Sequence, residues 1–352
     1  MVILQKYGKE IDMRNLNRNL ENIRVMKQNR KDASLKYLNE FNPDDEISCP
    51  ICESGQYKYY VDIYGYKYCE CQYCKSIFLA NLPNAEELYQ GSEEVAVEHY
   101  VDKEIFEKRK EIISKPKLEF VLECLNDYNG GGNFKINSWL DIGCATGELL
   151  SFVQDMGIKA VGIESDYREA EFARKIVGLE IIEGYIDSKN PNEEINNAVY
   201  DASVISFINV LEHIPNPIDF INDIYKYSND DSILVFEVPR HPSLASFSNL
   251  VSHDAVYRHM VPPQHLQIFT EKGVDEILKD KYEIIGKWGF GQGFFDILTE
   301  SAINADLDNL ELYNQLIDQS NPIQKVIDEV GFSDTMIFVC KKLSKLMDSS
   351  SN

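Results

Sequence analysis

The run Ser138-Trp139-Leu140-Asp141-Ile142-Gly143-Cys144-Ala145-Thr146-Gly147-Glu148-Leu149-Leu150 constrains this chain more than any other segment. It reads as a buried strand, a tight turn of small residues and the start of a helix. The next apolar run, Lys159-Ala160-Val161-Gly162-Ile163, ends on an acid, Glu164. That order is how an open α/β sheet holds an adenosine. Backbone approaches the ligand at the turn, and a carboxylate takes the ribose hydroxyls. The turn lacks the third glycine of a dinucleotide fingerprint, and no Gly-Lys-Ser/Thr follows it, so the ligand expected here carries no phosphates.

These residues resemble the cofactor-binding core of a class I S-adenosylmethionine (SAM)-dependent methyltransferase. The resemblance is strongest between residues 138 and 217. It implies an α/β fold with a seven-stranded Rossmann-like methyltransferase sheet closed by a final hairpin. The alternation of strands and helices from Lys135 onward signals the same parallel sheet. Strands are expected at 136–142, 160–164, 180–183, 202–208, 232–238, 282–289 and 335–341, with a helix-rich insertion at 296–329.

The expected organisation has four parts. Residues 1–46 form a helical N-terminal segment, because Leu16, Leu20, Ile23, Met26, Leu35 and Leu38 lie near helical spacing in a polar background. Residues 47–95 form a small Cys-rich module, 96–345 the methyltransferase domain and 346–352 a disordered tail.

The formal net charge of −23 argues against a nucleic-acid partner, which would need clustered Lys and Arg, and against anionic membranes. No apolar run is long enough to span a bilayer, and the N-terminus turns polar too quickly for a secretion signal. A cytoplasmic location is therefore expected, with the 8 cysteines as thiols or metal ligands.

Cys49-Pro50-Ile51-Cys52 and Cys71-Gln72-Tyr73-Cys74 are paired CxxC knuckles. Four thiolates give the closed tetrahedral shell of a structural Zn²⁺. Cys69 sits in the same turn and is an alternative to Cys71. The segment has few large aliphatics, so the metal would supply much of its folding energy. Such a zinc ribbon either covers the acceptor pocket or mediates self-association into a homo-oligomer. Cys124, Cys144 and Cys340 read as small buried residues.

The resemblance also assigns the cofactor residues. Gly143, Ala145 and Gly147 let backbone approach SAM, and Ala145 stands where many relatives have glycine. Asp141 acts near the methionine end. Glu164 binds the ribose hydroxyls, and Asp187 flanks the adenine amine. The stretch Val210-Leu211-Glu212-His213-Ile214-Pro215-Asn216-Pro217 closely resembles a signature of one large branch of the family. It places Phe207 and Asn209 at the methionine end, with Glu212 and His213 opening the next helix.

Methyl transfer needs in-line attack on a sulfonium methyl, so positioning does most of the work. A base is required for a hydroxyl or an acidic carbon. Gln264-His265-Leu266 before Phe269-Thr270 resembles a motif of sugar and saccharide-pathway methyltransferases, in which the matching histidine serves as base. His265 is thus the leading catalytic candidate and His259 the second. Pro262 stands where deoxysugar C-methyltransferases have tyrosine, which brings O-methylation level with C-methylation. His213, Tyr257 and Arg258 are candidate substrate contacts, Arg258 for a carboxylate or phosphate. A plainer role for His265 is to cap the helix that follows. The acceptor expected is a small molecule, a sugar or saccharide intermediate. Two alternatives are a zinc-ribbon RNA base methyltransferase, which would need a basic face around the ribbon, and a non-catalytic SAM-binding scaffold.

Overall fold

The computed structural model describes residues 3–11, 13–16, 18–39, 46–83, 101–132, 134–187, 189–253, 259–305 and 310–343. The predicted tail at 346–352 and the substrate candidates Tyr257 and Arg258 lie outside the described residues. Among the described residues, twelve strands form two sheets. They are β1 (Leu4–Tyr7), β2 (Tyr57–Ile63), β3 (Tyr66–Cys71), β4 (Ile77–Leu79), β5 (Ser138–Ile142), β6 (Lys159–Glu164), β7 (Glu180–Glu183), β8 (Val204–Ile208), β9 (Ile233–Pro239), β10 (Gln267–Ile268), β11 (Tyr282–Phe290) and β12 (Thr335–Lys342).

The large sheet has the order β1-β11-β12-β9-β8-β5-β6-β7. β7, β6, β5, β8 and β9 run parallel, and β12 is antiparallel to both β9 and β11. Its strands are near-continuous apolar runs because helices cover both faces. Strand alternation divides them between two cores. In β9, Ile233 and Val235 pack on one face, whereas Leu234, Phe236 and Val238 pack on the other. The chain winds from β5 outward through β6 to β7, then crosses back to β8. The order therefore reverses beside β5, and the crevice at the carboxyl ends of the strands there is where such sheets bind ligands.

The sheet has eight strands, not the expected seven. The extra one is β1, which pairs in parallel with the edge strand β11. Trp288 Nε1 donates to Gly8 O at 2.9 Å and fixes the exit of this strand. The polar pattern of the N-terminal segment hides it, because an edge strand buries little side chain. Downstream lies one long helix, Leu20–Lys36, capped by Asn19, whose Oδ1 accepts the Asn22 N–H at 2.9 Å.

The second sheet has the order β10-β4-β3-β2, all antiparallel. Three of its strands come from the Cys-rich module, and the fourth comes from the segment after His265. Its core mixes Val61, Ile63, Tyr66, Tyr68, Ile77 and Leu79 with Met260, Leu266 and Ile268. The module thus borrows apolar residues from the far end of the chain.

Candidate active site

β5 is buried throughout its last four residues and delivers the chain to a turn that only small residues permit. Gly143 (φ +67°) and Gly147 (φ +86°) adopt left-handed backbone. A Cβ on Gly143 would stand 2.6 Å from Val210 Cγ2, and one on Gly147 would stand 2.3 Å from Leu179 Cδ1. Ala145 is also left-handed, at φ +49°, where its small side chain limits the strain. Gly147 opens the helix Glu148–Asp155.

Glu164 ends β6 and is buried beside this turn. Its Oε2 accepts the Ala145 N–H at 2.8 Å, and its Oε1 accepts those of Ser165 and Asp166 at 2.7 and 2.8 Å. A carboxylate offers about four lone-pair sites, so three backbone donors fix its rotamer and leave one site that two vicinal hydroxyls would share.

Asp141 lies one layer below. It accepts from Ser206 Oγ at 2.5 Å, and that oxygen in turn accepts from Trp139 Nε1 at 2.7 Å. Burial pushes the Asp141 carboxyl up to about 7. It ties β5 to β8 and is not among the residues lining the cavity. Phe207 is likewise in the core, stacked on Phe236 with ring centroids 5.1 Å apart. Strand alternation turns its ring into the apolar layer.

A cavity of about 850 Å³ opens above this crevice. Gly143, Ala145, Glu164, Asp187 and Asn209 line one part of it; His213, His259 and His265 line another. Its size falls in the range of small-molecule sites, ~300–1,000 Å³. Thr146 lines it with a buried Oγ1 that has no partner, as does Gln292 with its Nε2. Asp187 accepts the Lys189 N–H at 2.8 Å and the Asn190 side-chain amide at 2.9 Å. These donors, led by Asn190, hold its carboxyl below the usual range. Asn209 is held at φ +55° at the end of β8. Glu169 also lines the cavity, and burial beside the charge of Glu164 pushes it up to about 8.

The histidines are fixed by backbone. His213 Nδ1 lies 2.8 Å from Gln264 O, and His265 Nδ1 is hydrogen-bonded to His259 O. The two rings meet edge to face, 4.9 Å between centroids. Burial holds His265 well below the usual imidazole range, so it is neutral at working pH. His259 is 2% exposed, with Nε2 at 2.9 Å from Arg240 O and 3.2 Å from Ser243 Oγ. Since a carbonyl only accepts, His259 donates there.

Three contributors to the cavity are not singled out as site residues by the sequence. Arg18 and Arg30, from the polar N-terminal segment, line it. So does Glu212, which is 1% exposed and whose Oε2 has no partner. Burial pushes Glu212 up to about 8. Its adjacency to His213 was visible in the signature stretch, but its inward direction depends on the turn Leu211–His213.

The four knuckle sulfurs converge. One donor atom each from Cys49, Cys52, Cys71 and Cys74 lies within 4.8 Å of all the others. Cys49 and Cys74 Sγ are 3.7 Å apart, and Cys52 and Cys71 Sγ are 3.5 Å apart. Hydrogen bonding between them drives the Cys49 thiol up and the Cys74 thiol down to about 5. Cys69 is outside this group. It pairs with Tyr59 and Phe78 within the sheet, and burial pushes its thiol up to about 11.

A sequence model of the methyltransferase domain family matches residues 97–281, just over half of the chain. This chain belongs to the methyltransferase domain family.

Several solved methyltransferases are similar to it. A SAM-dependent methyltransferase from Archaeoglobus fulgidus is 16% identical, with a TM-score of 0.41, over 68% of this chain and 97% of that one. The plantazolicin methyltransferase BamL, solved with a triazolic desmethylPZN analog and SAH, is 13% identical, with a TM-score of 0.41, over 92% of this chain and 99% of that one. Magnesium protoporphyrin IX methyltransferase (ChlM) from Synechocystis PCC 6803, with bound SAH, is 12% identical, with a TM-score of 0.41, over 68% and 88%. No curated protein matches the sequence. Among the described residues of this methyltransferase, no helix is long and apolar enough to cross a membrane.

Proposed function

We propose that this methyltransferase moves the methyl group of SAM to an oxygen or carbon of a small molecule, a sugar or saccharide-pathway intermediate. One observation carries the reading. A single cavity is lined at once by Gly143, Ala145 and Thr146 of the turn with Glu164, though not by Gly147, and by the histidines 213, 259 and 265. A donor and an acceptor can therefore meet inside it. SAM supplies a methyl on a sulfonium that is already a good leaving group.

The chain's own residues do the rest. Glu164 takes the ribose hydroxyls at the lone-pair site its backbone donors leave free. Asp187 sits where the adenine amine would be read, and Asn209 with the turn backbone orients the methionine end. Asp141 and Phe207 act through the sheet, holding β5 and β8 in place.

His265 is the proton acceptor of this reading. Its Nδ1 is committed to a carbonyl, which leaves Nε2 with a lone pair. His259 already donates to Arg240 O, so we assign it the positioning of His265 through their shared backbone contact. His213 packs on His265 and forms the neighbouring wall. The negative charge of the chain supports a small acceptor over RNA.

We also propose that Cys49, Cys52, Cys71 and Cys74 hold a structural Zn²⁺. The donor set fits, because four soft sulfurs close a tetrahedral shell and leave no position for chemistry.

Calorimetric titration of the zinc-loaded protein with S-adenosylhomocysteine tests the cofactor half. A methyl-transfer screen over nucleotide sugars and free saccharides tests the acceptor half. One-site binding with turnover on a saccharide supports the whole reading. Binding without turnover on any small acceptor leaves the non-catalytic scaffold. No binding by the folded protein overturns the cofactor site.

A further inference from the structure

We infer that Glu212, His213 and His265 form a second metal site, at the acceptor end of the cavity, for a catalytic divalent transition ion. One donor atom from each lies within 4.8 Å of the other two. Elements far apart in sequence build the group. Glu212 and His213 come from the turn after β8, and His265 comes from the segment leading into β10. Backbone pairing clamps the two segments together. The Leu266 N–H donates to Glu212 O at 2.7 Å, and Gln267 Nε2 donates to Ile214 O at 3.1 Å.

Two further observations point to an ion. The first is the orientation of the imidazoles. Both use Nδ1 on a backbone carbonyl, Gln264 O for His213 and His259 O for His265. Each Nδ1 must then carry the proton, which leaves each Nε2 with an unshared pair. A ring N–H held by a carbonyl is the outer-sphere arrangement typical of metal-binding histidine. The second is Glu212, whose carboxylate is 1% exposed and lines the cavity with Oε2 unpartnered. Leaving such an oxygen unmatched is costly, and a cation answers it.

Two imidazoles and one carboxylate suit Mn²⁺, Fe²⁺, Co²⁺ or Zn²⁺ rather than the all-oxygen shells of Mg²⁺ and Ca²⁺. Three protein ligands leave open positions, unlike the closed four-sulfur shell. His213 is exposed toward the cavity, so the ion has an entry path.

The role of the ion rests on the methyl-transfer reading above; the site itself does not. An acceptor bearing two neighbouring oxygens, such as a vicinal diol, would chelate through the open positions. Coordination acidifies one hydroxyl, and its proton passes to water. That oxygen then forms a bond to the methyl carbon while the carbon–sulfur bond breaks, its electron pair staying on sulfur. His265 acts in this account as a ligand, and the ion replaces it as the group that activates the hydroxyl.

Zn²⁺ is the strictest probe, because it binds N/O sites more tightly than Mn²⁺, Fe²⁺ or Co²⁺. The full-length protein is dialysed to equilibrium against Zn²⁺, and bound metal is counted by atomic emission. Two ions per chain are expected. The second is expected to be lost in Glu212→Gln and in His213→Gln, with one ion and unchanged S-adenosylhomocysteine affinity remaining. The exposed position of His213 makes that variant a safe control on folding. One zinc per chain in the unaltered protein, or two in both variants, overturns the site. Loss of S-adenosylhomocysteine binding alone would overturn the methyltransferase reading and leave the metal count to stand separately.

Discussion

The two halves of the cavity are built in opposite ways. The core of the half we assign to the cofactor is local. β5, its turn, the helix Glu148–Asp155 and Glu164 are contiguous along the chain, and Glu164 closes on Ala145 through one backbone bond. The acceptor half is assembled from remote pieces. It draws on the N-terminal segment, the turn Leu211–His213, the segment before β10 and the start of the insertion, and the Cys-rich sheet backs it. Local architecture tolerates damage elsewhere; the assembled half should fail when any one piece is removed.

Glu164→Ala is the largest test. Losing charge-assisted bonds worth ~1.5–3 kcal/mol each should weaken S-adenosylhomocysteine binding by ~100-fold or more in calorimetry. Cys71→Ser comes next and tests the asymmetry directly. It should release the ribbon metal and lower acceptor turnover by about 100-fold through displacement of His265, since small misplacements cost that much. S-adenosylhomocysteine affinity should be nearly unchanged. Cys69→Ser should retain the metal, and equal losses of cofactor and acceptor function in Cys71→Ser would erase the distinction between the halves.

Gly147→Ala attacks the local half. Left-handed backbone costs an alanine ~1–2 kcal/mol, and the new methyl meets Leu179, so unfolding should register a loss of about 2 kcal/mol or more. Tyr68→Phe removes one bond, from its hydroxyl to His265 O at 2.9 Å. It should cost about 1 kcal/mol and appear as a raised KM for the acceptor with no change for SAM.

The smallest effect concerns pH. Asp328, in the helix Ser320–Glu329 behind the acceptor half, is pushed up to about 7 by burial. Its folded value lies above its unfolded one. The stability it contributes is therefore complete below about pH 4 and lost as pH rises through about 7. Asp328→Asn should flatten that slope and leave a Tm difference of about 3 °C at pH 8.

The sequence spoke for the local half because its signals are short-range. A buried strand, a turn of small residues and a terminal acid occupy one stretch, and strands 180–183 and 335–341 were placed closely by alternation and apolar runs. The paired knuckles likewise announced their sulfurs, though Cys69 and Cys71 share one face of β3, and only the fold shows that Cys71, at the end of the strand, is the one that reaches the other three sulfurs. β1 stayed hidden because four residues at a sheet edge carry little pattern. Arg18 and Arg30 looked like solvated charges on a polar segment, and only tertiary packing carries them to the cavity. Phe207 and Asp141 were placed correctly along the chain, but which way each side chain faces is decided by the pleat. Glu212 and His265 carried no mutual signal, because their meeting depends on a pairing between segments far apart in the chain.

β10 has a consequence for how the molecule comes into being. Tyr68 and His265, which bond to each other, are 197 residues apart. Chains are synthesised at ~5–20 residues per second, so the first three strands of the small sheet wait ~10–40 s for the fourth. Throughout that interval β4 has an open edge and Tyr68 lacks its partner. The nascent protein can complete the crevice at the ends of β5 and β6 before the histidine wall of the cavity exists.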